Sequence, residues 1–77
     1  MSVPYEIIST GSQGNAVVLN ERVLIDCGVP FKALASVYRK LRLVLLTHIH
    51  GDHFNRSTIR HLAELRPTLR FGCCRWL

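Results

Sequence analysis

Seventy-seven residues with ten Lys+Arg against five Asp+Glu, a net charge of +5, suit one small domain or a piece of a larger one. At 48% hydrophobic and 19% charged, the chain can bury a core and falls outside the disordered class. No apolar run approaches the roughly 18 residues of a membrane-spanning helix. The start, Met1-Ser2-Val3-Pro4-Tyr5-Glu6, lacks the basic and apolar regions of a secretory signal, so a cytoplasmic location and no membrane are expected. The basic residues are scattered from Arg22 to Arg75, which permits an anionic partner such as nucleic acid without specifying one. Cys27, Cys73 and Cys74 form an odd set without a disulfide framework and fit reduced thiols.

In chain order, residues 3–8 have the β-branched and aromatic character of a strand. Thr10-Gly11-Ser12-Gln13-Gly14-Asn15 is a turn-rich loop. Residues 16–19 and 23–25 read as two more strands, joined by a hairpin at Asn20-Glu21-Arg22. Cys27-Gly28-Val29-Pro30 ends the third strand and leads into a helix, on which Phe31, Leu34, Val37, Tyr38 and Leu41 fall at helical spacing. Leu43-Val44-Leu45-Leu46 is a continuous apolar run, as in a strand buried on both faces. Ser57 is a candidate cap for a helix through Leu65, with Ile59, Leu62 and Leu65 on one face and Pro67 closing it. Residues 69–74 give a last strand. The order β-β-β-α-β-α-β is an α/β layout with helices covering a sheet. Such a sheet would leave one apolar face without a partner, so residues 1–77 are expected to form a single incomplete domain, the amino-terminal fragment of a larger one.

The strongest chemical signal follows the apolar run directly. All four histidines lie between His48 and His61, and His48-Ile49-His50-Gly51-Asp52-His53 packs three of them with a carboxylate. Two histidines at i and i+2 of an extended segment point the same way and can reach one ion. Gly51 lets the chain turn, and Asp52 and His53 then offer an oxygen and a nitrogen to a second ion. Imidazole and carboxylate are ligands for zinc, manganese or iron. A cation also compensates the charge and desolvation of clustered histidines. His61 lies apart and is expected to be a surface or helix-packing residue.

Thr47-His48-Ile49-His50-Gly51-Asp52-His53 resembles the HxHxDH signature of the metallo-β-lactamase fold superfamily. Leu24-Ile25-Asp26-Cys27-Gly28 looks like that family's earlier strand-end segment. Ser9-Thr10-Gly11-Ser12-Gln13-Gly14-Asn15 is similar to the Gly/Ser-rich loop of its exonuclease-like branch. The resemblance implies the amino-terminal portion of an αββα sandwich. It makes His48 and His50 ligands of one metal, and Asp52 and His53 ligands of a second. Two divalent ions are implied in the complete domain, zinc foremost, with Asp52 also acting catalytically by orienting the attacking water. Asp26 is implied to support the site from behind the ligands. Ser12 and Asn15 are candidate substrate contacts.

Family members attack esters, amides, thioesters or phosphodiesters with metal-activated water. The Gly/Ser loop and the +5 charge favour a nuclease-like phosphodiesterase with a nucleic acid substrate. The family completes its site from a later half, and the 24 residues after His53 do not supply those ligands. A missing carboxy-terminal half or another chain is therefore expected to complete it, and these 77 residues alone are expected to be weakly active or inactive. The alternative is a non-catalytic remnant that binds metal or nucleic acid.

Overall fold

The computed structural model describes residues 4–11, 14–47 and 55–73. They form a mixed α/β unit with one five-stranded sheet and one α-helix. The strands are β1 (Tyr5–Ser9), β2 (Ala16–Leu19), β3 (Val23–Ile25), β4 (Leu43–Leu46) and β5 (Arg70–Cys73), and the helix α1 (Arg56–Leu65) lies between the last two. Strand order in space equals order in sequence. β2 runs antiparallel to its neighbours β1 and β3, whereas β3, β4 and β5 are parallel.

The antiparallel half is built from tight turns. Arg22 N donates to Leu19 O at 3.0 Å across Asn20 and Glu21, whose φ values are +50° and +60°. Positive φ at both central residues matches the right-handed twist of a hairpin. In β1, Ile7 pairs with Val17 but Ser9 pairs with Ala16, so one extra residue bulges just before the glycine-containing loop.

Parallel neighbours require crossovers, and the two differ in kind. Between β4 and β5 the crossover is α1, capped by Asn55, whose side chain accepts from Thr58 N at 3.1 Å. The expected cap, Ser57, is instead inside the helix and exposed. Asn55 takes the role because its backbone is extended while its amide reaches the free N–H of the first turn. Leu62 is fully buried, Ile59 is packed against the core, and Leu65 is left exposed.

Between β3 and β4 the expected α-helix is replaced by two short 3₁₀ turns, Phe31–Leu34 and Tyr38–Lys40. The bonds close over three residues, as in Ala33 N to Pro30 O and Val37 N to Leu34 O, both 3.0 Å. Val37 breaks the run at φ −120°. The carbonyls of Tyr38 and Arg39 accept from the Arg66 guanidinium, and Tyr38 O also takes the last 3₁₀ bond, from Leu41 N at 3.3 Å. Burial of Leu34 and Leu41 on the sheet outweighs helical propensity here.

Both crossovers cover the same face, giving a core of Ala16, Val18, Leu24, Leu34, Leu41, Val44 and Leu62 beneath them. Among the described residues nothing covers the other face. Ile7, Val17, Ile25, Leu45 and Gly72 form one row across all five strands, and Ile7 and Leu45 in it are 56% and 37% exposed. The apolar face expected to lack a partner is therefore present on this sheet. No helix among the described residues is long and apolar enough to cross a membrane.

Candidate functional site

Four stretches of chain converge on the short segment Asp26-Cys27-Gly28-Val29 that follows β3. The first is β4. Asp26 N donates to Leu45 O at 2.7 Å, and its side chain then accepts from Thr47 N at 2.8 Å. Thr47 Oγ1 lies 2.8 and 2.9 Å from the two carboxylate oxygens and donates to them. Asp26 is 7% exposed and adopts φ +63°, a left-handed conformation that aspartate tolerates better than most residues. A nearly buried carboxylate held by a hydroxyl and a backbone N–H makes a rigid clamp on the end of β4.

The glycine-containing loop is the second stretch. Gly28 N donates to Asn15 O at 2.9 Å. Gly14, at φ +139°, approaches so closely that a Cβ there would stand 2.6 Å from Gly28 O. The loop is closed on itself by Asn15, whose Oδ1 accepts from Gly11 N at 3.1 Å and whose Nδ2 donates to Gly11 O at 2.9 Å. Ser9 Oγ adds a bond to Gly14 O at 2.9 Å. Asn15, a candidate substrate contact, is thus the clasp of its own loop.

The third and fourth stretches belong to α1 and the segment ahead of it. Asn55 N donates to Cys27 O, and Thr58 Oγ1 donates to Val29 O at 2.6 Å from a buried position. Thr47 and Asn55, the residues flanking positions 48–54, are consequently bound to adjacent residues, Asp26 and Cys27. Cys27 is fully buried, and burial first, then the charge of Asp26, pushes its thiol up to about 12. It is an apolar packing group and not a thiolate ligand at neutral pH.

His48, His50, Asp52 and His53, the four candidate ligands, lie outside the described residues, as does Ser12. Among the described residues no three His, Cys, Asp or Glu side chains come together in a way that could hold a metal ion. The donor chemistry of 48–53, three imidazoles and a carboxylate, suits a borderline divalent cation. Among the described neighbours, the Asp26 carboxylate accepts from Thr47, and burial keeps the Cys27 thiol protonated at neutral pH. His61 lies on α1 with its ring stacked on Phe31, centroids 4.1 Å apart.

Asp26 was legible in the sequence as a strand-end carboxylate. The roles of Thr47 and Asn55 were not, because each depends on a partner more than twenty positions away. No protein-family model, curated protein or solved structure gives a significant match to this chain.

Proposed function

We propose that this chain is the amino-terminal part of a cytoplasmic metal-dependent hydrolase of the metallo-β-lactamase type, acting on phosphodiesters in a nuclease-like manner. The observation that carries the proposal is the clamp between Asp26 and Thr47, the residue immediately before His48. Ligands that must meet within a fraction of an ångström need an entry point that does not move, and a buried carboxylate bound to the preceding backbone supplies one. The location agrees, since ligands of open sheets gather beyond the carboxyl ends of parallel strands, where Asp26 and Thr47 stand.

In this proposal His48, His50, Asp52 and His53 hold two divalent ions, zinc first among the candidates, and Asp52 also orients the attacking water. The ions supply Lewis acidity that makes water nucleophilic near neutral pH. Asp26 fixes the backbone from which the ligands project. Gly14 and Asn15 lie against Gly28, and in this proposal their loop is the adjoining wall for a substrate, with Ser12 and Asn15 as the candidate contacts. A complete site draws its remaining ligands from a carboxy-terminal portion or a second chain.

Calorimetric titration of the 77-residue chain with zinc and with manganese tests this, alongside His48→Ala and Asp52→Ala. Ion binding that either substitution weakens at least about tenfold is expected. Turnover of a generic phosphodiester by the chain alone should be low. Ion binding that is absent, or unchanged in both variants, overturns the proposal. A single weakly held ion together with nucleic-acid binding but no cleavage would replace it with the non-catalytic alternative.

A further inference from the structure

The opposite pole of the sheet carries a different chemistry. A solvent-open pocket of about 910 Å³ is lined by Arg22, Arg39, Lys40, Arg42, Arg66 and Arg70, with Glu21 and Thr68 completing it. Six of the chain's ten basic residues thus converge on one concavity against a single carboxylate. That carboxylate offsets little, for Glu21 reaches only Lys40, at 3.9 Å, and both side chains are largely exposed.

The convergence is fixed by the fold. Arg42 N donates to Arg22 O at 2.7 Å and Arg70 N to Arg42 O at 3.4 Å, so three arginines stand side by side where β3, β4 and β5 begin. Neighbouring parallel strands are about 4.8 Å apart, which sets the spacing of this row. The Arg66 guanidinium is held by the carbonyls of Tyr38 and Arg39, and Arg39 Nε donates to Tyr38 Oη at 3.2 Å. Like charges gathered in a concave site raise the local potential and favour a multivalent counter-ion.

We infer that this pocket is a binding site for a compact, multiply charged phosphate compound of the di- or triphosphate class. Five guanidinium forks match phosphate oxygens two at a time, which a set of lysines would not do. None of the eight lining residues is aromatic, so the pocket offers charge without a platform on which bases could stack. The pocket lies at the opposite end of β4 from Thr47: Arg42 precedes the strand and Thr47 follows it, about 16 Å away along an extended strand.

The test is calorimetric titration with inorganic triphosphate in the presence of a metal chelator, so that its outcome is independent of the proposed ions. Saturable one-to-one binding is expected. It should weaken at least about tenfold in Arg42→Glu/Arg70→Glu and in the gentler Arg42→Gln/Arg70→Gln. Lys32→Glu/Arg60→Glu changes the net charge equally outside the pocket and should leave affinity within about twofold. No saturable binding, or equal loss in both charge-reversed pairs, overturns the inference. Binding of a single-stranded oligonucleotide that triphosphate fails to displace overturns it too, since the surface would then track a nucleic-acid backbone.

Discussion

Asp26 and Thr47 are 21 positions apart in sequence, yet one carboxylate accepts from both the backbone N–H and the hydroxyl of the threonine. That contact ties the end of β3 to the end of β4, at the residue that precedes the histidine motif in the sequence.

Removing the clamp should be measurable in the fold itself. Asp26→Asn leaves the left-handed backbone acceptable but weakens a charge-assisted acceptor, and should cost about 1–3 kcal/mol. Thr47→Val keeps the N–H and loses only the hydroxyl, at about 1 kcal/mol. A double-mutant cycle by urea unfolding should give a coupling of at least about 0.5 kcal/mol; additivity would show that the two groups do not act together.

Gly14→Ala should be far more damaging than Gly11→Ala. Both residues have positive φ, +139° and +111°, but only the Cβ at position 14 would meet an atom, Gly28 O at 2.6 Å. Backbone strain alone costs about 1–3 kcal/mol at either site. The clash adds to it at Gly14, so melting temperatures should fall in the order wild type, Gly11→Ala, Gly14→Ala.

Glu21→Gly should stabilise the hairpin. Glu21 holds φ +60° at the second central position, where glycine carries no Cβ penalty. The gain should be about 0.5–1 kcal/mol after the entropy of the more flexible unfolded chain is subtracted. Loss of the exposed pair with Lys40 subtracts little. A lower urea midpoint in the variant would contradict the turn geometry.

Cys27 should make stability fall in alkali. The thiol ionises at 9.0 when unfolded and at about 12 in the folded chain. Folding therefore favours the protonated form. Its contribution is complete below pH 9 and is lost progressively as pH rises toward 12, because the unfolded chain releases its proton first. In native conditions iodoacetamide should label the exposed Cys73 well before Cys27, and mass spectrometry of the digested protein resolves the two.

The strands were the legible part of the fold. Ala16–Leu19, Val23–Ile25 and Leu43–Leu46 follow from short β-branched or aliphatic runs bounded by turn residues. The open apolar face was legible too, from the short length of chain available to cover it. The segment after Pro30 was not, since Phe31, Leu34, Val37 and Leu41 suit either an α-helix or successive 3₁₀ turns. The choice was made by contacts with Arg66 and the sheet. Asn55 prevailed over Ser57 as the cap because its backbone is anchored to Cys27, information absent from the local sequence. At the candidate site His48, His50, Asp52 and His53 were proposed as ligands from adjacent letters, and they lie outside the described residues. The clamp was not legible, because nothing near Asp26 names a partner 21 residues on.

The long reach of that clamp has a thermodynamic corollary. In a denatured chain Asp26 and Thr47 are apart, so no preorganised entry to positions 48–53 exists there. Any cation those positions capture selects the native ensemble and raises the melting temperature with the logarithm of its concentration. If the proposed ions bind there, loosening the carboxylate–threonine contact should weaken their affinity without touching a proposed ligand, because part of the coordination energy would go to restoring that order.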